Sequence, residues 1–305
     1  MKGRCSATVL GFSIRSVVLP IALTALLAAA VQTSASPLVA SLQTILASSI
    51  APADSLGFDV YRWDRFPSIL VLDSADFRTQ DRMFSRLAFF LEKRGFRGRL
   101  LDDRTLEKLH GWNAHDYGSG GLASFFNAAQ RLGFVLSEEE LSLRDLVLEE
   151  GILTMVHERY APGVGGVLSI SRSSSPIERR LLLTHESFHG IFFASSEYRA
   201  FCFHLWDSLD PRARSFFVKF LDELGYDGES RYLAVNEFQA YLMQQPARYA
   251  PEYFQRTVNR FAPGELVPER TIMNVAHRLD AYLESRFGIR AGRTLEARGP
   301  SGDSG

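Results

Sequence analysis

Residues 175–189 read Ser175-Pro176-Ile177-Glu178-Arg179-Arg180-Leu181-Leu182-Leu183-Thr184-His185-Glu186-Ser187-Phe188-His189. The stretch announces a helix at its first residue. Ser175 stands at the N-cap, Pro176 takes the first helical position, where its missing N–H costs nothing, and Glu178 can bond back to the cap. The last five residues read HESFH, the H-E-x-x-H pattern. On a helix, residues i and i+4 share a face one turn apart, so His185 and His189 can reach one ion. Glu186 does not ligate that ion but can reach a water bound to it and take the water's proton. Zinc suits the arrangement, because it lowers the pKa of bound water to about 7. Leu181, Leu182, Phe188 and Phe192 flank the histidines, which predicts a largely buried site face.

A catalytic zinc usually has three protein ligands and one open position. A metzincin pattern needs Gly and His where this chain has Phe192 and Ser195. A deformylase-like site needs an upstream Cys, but Cys5 lies in a segment expected to be removed and Cys202 is downstream. The third ligand is expected at Glu237, in Asn236-Glu237-Phe238-Gln239-Ala240-Tyr241. Ser230 is placed to cap that helix and Pro246 limits its end. On the helix, Glu237 shares a face with Leu233, Ala234, Ala240 and Tyr241, where a carboxylate is costly unless a cation meets it.

HESFH followed by Asn-Glu on a later helix resembles the gluzincin class of zinc metallopeptidases. The resemblance covers roughly residues 160–245 and implies a zincin-like catalytic core. It implies one zinc per chain on His185, His189 and Glu237, Glu186 as general base, and a peptide or protein substrate. One departure is that 47 residues lie between His189 and Glu237, more than in thermolysin-like chains. A thermolysin-like ligand would fall near 207–210, which keeps Asp207 and Asp210 as alternative ligands or as partners that orient a histidine. Tyr241 is the leading candidate donor for a developing oxyanion, with His204 and Tyr232 as others. Gly166 to Ser171 stands where such folds carry a sheet-edge strand, and a peptide could add there by its backbone.

Outward from the motif, residues 1–35 have the layout of a secretory signal. Lys2, Arg4 and Arg15 are basic, Val17 to Val31 is apolar except for Thr24, and Thr33-Ser34-Ala35 fits a small-x-small cleavage site. An uncleaved anchor is the alternative, and a membrane is expected as partner only in that case. Either way the folded part is expected outside the cytoplasm. Residues 36–57 read as a linker or loosely docked helix. Residues 58–150 read as an N-terminal α/β portion, 151–296 as the zincin-like catalytic portion, and 297–305, rich in Gly and Ser, as a disordered tail.

Within those portions, Ser68 to Leu72 reads as a buried strand, 77–94 as a helix stopped by Gly95, and Arg97 to Leu101 as a second strand. Helices are expected at 119–132 and 138–150, the latter with a Ser137/Glu140 capping box. Ile152 to Tyr160 and Gly166 to Ser171 read as a hairpin turning at 161–165. His115-Asp116 reads as part of a loop-like turn. The fold class expected is α+β, helix-dominated, with a small sheet and the HExxH helix at its centre. A formal net charge of -1 gives no reason to expect nucleic acid as a partner. Cys202 in Phe201-Cys202-Phe203 reads as a buried apolar side chain. Two other readings of the motif stay open: a zinc-dependent hydrolase of a non-peptide amide or ester, and a non-catalytic exported binding protein with structural histidines.

Overall fold

The computed structural model describes residues 36–48 and 57–296. The signal read in residues 1–35 and the tail 297–305 lie outside the described residues. The elements belong to one compact unit that begins at Pro37. In chain order they are β1 (Leu38–Ala40), α1 (Leu42–Ala47), β2 (Phe58–Trp63), β3 (Ile69–Ser74), α2 (Phe77–Leu91) and α3 (Asp103–Leu106). Next come β4 (Ala114–Gly118), α4 (Ser119–Leu132), α5 (Glu138–Glu149), β5 (Leu153–Val156), β6 (Arg159–Pro162) and β7 (Gly166–Ser171). The rest is helical: α6 (Pro176–Ala194), α7 (Ser196–Asp207), α8 (Pro211–Glu223), α9 (Arg231–Met243), α10 (Ala250–Phe261) and α11 (Glu269–Phe287). Helix predominates over a small mixed sheet, which is the α+β class.

The sheet runs β1-β2-β3-β7-β4. β3 and β7 are parallel, and β4 runs antiparallel to β7 at one edge. Helices cover both faces, which is why β3 and β7 are buried along their whole length, the polar Asp73, Ser74, Ser169 and Ser171 included. Ile69, Val71, Leu168 and Ile170 pack on the side of α6, with Phe188, Ile191 and Phe192. Leu70, Leu72 and Val167 face the opposite way, towards Phe84 and Leu87 of α2 and Phe125 and Phe126 of α4. Cys202 lies fully buried among the first set, as expected.

Several expectations are corrected. The segment expected as a linker is partly integral, because β1 pairs in parallel with β2 and α1 buries Leu42 and Ile45. Ser41 caps α1 by accepting from the Thr44 N–H. The boundary at 150/151 does not separate two bodies, since β7 lies between β3 and β4 in one sheet. Residues 97–101 are turn and irregular chain rather than a strand. Gly95 and Gly98 both adopt positive φ there, and the Gly98 N–H bonds back to the Phe90 carbonyl. The hairpin joins β5 to β6 and turns at His157-Glu158, both at positive φ, not at 161–165.

β7 is an interior strand and not an open edge. Gly166 lets it enter, because a Cβ there would meet the Tyr117 carbonyl oxygen at 2.6 Å. The substrate edge expected at Gly166–Ser171 is therefore excluded. The edge strand next to β7 is β4, which includes the His115-Asp116 pair read as a loop.

Candidate metal centre

α6 begins as its sequence dictates, with both halves of the Ser175/Glu178 capping box formed and Pro176 in the first turn. It lies on the sheet so closely that a Cβ on Gly190 would come within 3.2 Å of Leu168 and Trp63. Leu181 is 60% exposed, so the continuous buried stretch of α6 starts at Leu183, after the isolated buried Arg179. From there His185, Glu186 and His189 are carried inward at 9%, 5% and 0% exposure. α9 crosses α6 and brings Asn236 and Glu237, both buried. Ser230 occupies the N-cap of α9 without a side-chain cap bond.

His185 Nε2 and His189 Nε2 stand 3.1 Å apart. Glu237 Oε2 lies 3.8 Å from each of them. A triangle with those sides has a point roughly 2.1 Å from every corner, which is the zinc–ligand length for imidazole nitrogen and carboxylate oxygen. His185 Nδ1 is 2.8 Å from Gln244 Oε1. An amide oxygen only accepts, so the ring proton belongs on Nδ1 and Nε2 carries a lone pair. His189 Nδ1 faces the Asp116 carboxylate at 3.4 Å, a long contact that favours the same tautomer. Three lone-pair atoms thus converge, and Glu237 Oε2 has no hydrogen-bond donor. A cation is the group that relieves such a cluster.

Burial sets the protonation. It pulls the pKa of His185 and of His189 down to about 4, so both imidazoles are neutral at neutral pH, as a metal ligand must be. It pushes Glu186 well above the usual carboxylate value, and the charges of Glu237 and Glu92 push it further. Asp116 is raised well above its usual value by burial and then by Glu186. Glu237 is raised by burial, against the pull of His189 and Lys93. Lys93 itself is wedged between the rings of Trp112 and Tyr226, 3.9 and 4.0 Å from their centres, and pairs with Glu92 at 3.1 Å.

Tyr241 packs against His185, with ring centres 4.7 Å apart, and its hydroxyl engages Tyr226. Burial holds that phenol well above its usual pKa, so it remains a proton donor. Asp207 is paired with Arg231 at the surface, and Asp210 caps α8 by accepting from the Ala213 N–H. Neither belongs to the centre. His204 is exposed on α7. Tyr232 is half-exposed and lines a cleft of about 350 Å³ beside β4, together with Leu91, Asp116, Gly118, Phe193 and Asn236.

Sequence reasoning missed Asp116, Gln244 and Lys93. Alternation of buried His115 and Tyr117 with Asp116 was the local signal for a strand, but Asn113 and Gly118 masked it. Gln244 and Lys93 carried no signal, because their roles come from distant partners. Among the described residues, the groups able to hold a metal ion are His185, His189 and Glu237, and an overlapping set of Asp116, Glu186 and His189. Compared with protein-family models, curated proteins and solved structures, the chain matches none of them.

Proposed function

We propose that this chain is a zinc-dependent metallopeptidase of the gluzincin type, with a zincin-like core, acting outside the cytoplasm. The observation that carries the reading is the convergence of His185 Nε2, His189 Nε2 and Glu237 Oε2 around one point, with no donor to satisfy the carboxylate. Zinc held there would supply a Lewis acid and an activated water. His185 and His189 offer neutral nitrogen, oriented through Nδ1 by Gln244 and Asp116. Glu186 is one residue from the first ligand and buried, and its raised proton affinity suits a base that takes a proton from an activated water and returns it to a leaving amine. Tyr241, beside His185, is the candidate donor to the developing oxyanion.

A peptide needs an open strand edge, and β4 supplies one. Ser119 N–H bonds to the Gly165 carbonyl, so by antiparallel alternation the Asp116 N–H points away from β7. The cleft lies along that side. This favours a peptide over a small non-peptide amide or ester. Export rests on the basic and apolar layout of residues 1–35. Among the described residues no helix is long and apolar enough to cross a membrane.

The test is the zinc content of residues 36–305, purified without added metal, beside Glu237→Ala and Glu186→Gln. About one zinc per chain is expected, sharply weakened in Glu237→Ala. Glu186→Gln should keep the metal and lose hydrolysis of a peptide library by at least about a hundredfold. A wild-type chain that takes up no zinc would return the histidines to a structural role.

A further inference from the structure

Asp116 is outside the ligand triad, yet it touches two of the parts on which the chemistry depends. It sits on edge strand β4, with its side chain 11% exposed. Its Oδ1 accepts from Asn236 Nδ2 at 3.1 Å and lies 3.4 Å from His189 Nδ1. One oxygen of Asp116, one of Glu186 and one nitrogen of His189 all fall within 4.8 Å of each other. Glu186 Oε2 and His189 Nδ1 are both buried and lack a hydrogen-bond partner of their own. The residue that steadies Asp116 is Asn236, directly before the third ligand on α9. A single carboxylate therefore joins β4, α6 and α9 at the point where base and ligand meet.

We propose that Asp116 is a positioning residue that couples the substrate edge to the metal centre. Through His189 Nδ1 it fixes the ring so that Nε2 faces the ion. Through Glu186 it would hold the base where a water on a bound ion could be deprotonated. Its own backbone N–H lies on the open side of β4, so a peptide laid along that edge bonds to the residue whose side chain orders the centre. Docking and catalytic alignment then share one residue. A carboxylate behind a metal-bound imidazole raises its basicity and fixes its orientation. The inference rests on the metallopeptidase reading, and the experiment separates the two.

Zinc affinity, the visible spectrum of the cobalt-substituted protein and steady-state peptide hydrolysis are measured for wild type, Asp116→Asn and Asp116→Ala. The variants should fold with unchanged circular dichroism and bind zinc roughly 10- to 100-fold more weakly. The cobalt absorption bands should shift, and kcat should fall with KM nearly unchanged at saturating metal. Asn236→Ser, which removes the amide that donates to Asp116, should move zinc affinity and the cobalt bands in the same direction by less, and it serves if neither Asp116 variant folds. Equal zinc affinity and an unshifted cobalt spectrum in Asp116→Asn would overturn the proposal while leaving the metal reading intact. Two zinc ions per wild-type chain, falling to one in Asp116→Asn, would make Asp116 a ligand and overturn it too. A wild type without metal removes the metallopeptidase reading, and this proposal with it.

Discussion

Glu186 shows how the residues best suited to chemistry here are poorly suited to stability. Its carboxyl is buried beside Asp116, close enough to Glu237 and Glu92 for their charges to act on it, and one of its oxygens has no donor. Burial raises its folded-state pKa above the 4.5 of an exposed glutamate. The folded state therefore holds a proton that the unfolded chain has released once the pH passes about 4.5. This contribution is fully present below that pH and is lost as pH rises through the folded value. Metal-free Glu186→Gln should then be more stable than metal-free wild type at neutral pH, with a gap in the urea midpoint that widens from pH 5 to 8. A gap that is constant across that range would show that Glu186 is not raised. Under the proposed function the same substitution should abolish hydrolysis, and function and stability would then pull this residue in opposite directions.

At the scale of elements, the centre depends on how near α6 can come to the sheet. Gly190 follows His189 directly and faces Leu168, Trp63 and Ile69 at distances that leave no room for a branched side chain. Gly190→Leu should overpack this contact and cost about 1–3 kcal/mol. The helix would have to lift, carrying His189 away from Glu237, so zinc affinity should fall along with the melting temperature. A destabilised variant that binds zinc as tightly as wild type would mean that α6 moves without disturbing its ligands. α9 matters in a different way. It is buried nearly all round, against α6, α7, α8 and α11, so Glu237 is held by packing on several sides. β4 contributes the third support, and its place at the sheet edge is what puts Asp116 against α6 and α9.

For the whole molecule, the proposed metal centre sets metal and proton in competition for one set of groups. Glu237 has a raised pKa in the metal-free state, so at mildly acid pH zinc must displace its proton. Affinity should rise with pH through that raised value, because ionised Glu237 offers its charge without a proton to expel. The unfolded chain has no formed site, so binding stabilises the fold, by about 2.7 kcal/mol when free zinc is a hundredfold above Kd. The rise in melting temperature on adding zinc should accordingly be larger at pH 7.5 than at pH 5.5, and a chelator should reverse it. An equal rise at both values would mean that Glu237 is already ionised at pH 5.5 in the metal-free chain.

The helix of residues 176–194, its cap and the shared inward face of His185 and His189 were legible in the sequence because each depends on neighbours within about one turn. The 3.6-residue period brings i and i+4 together whatever the rest of the chain does. Glu237 was legible for a related reason, since a carboxylate on an apolar helix face needs a compensating charge. Strand order was not legible. Gly166–Ser171 reads the same as an edge or an interior strand, and only its pairing with both β3 and β4 settles the matter. Asp116, Gln244 and Lys93 were invisible for the same reason, because they reach the centre from 59 to 120 positions away along the chain or act on it through space. Local periodicity fixed which groups stand ready to hold an ion. Long-range pairing alone decided which others orient them, and which strand edge lies open beside them.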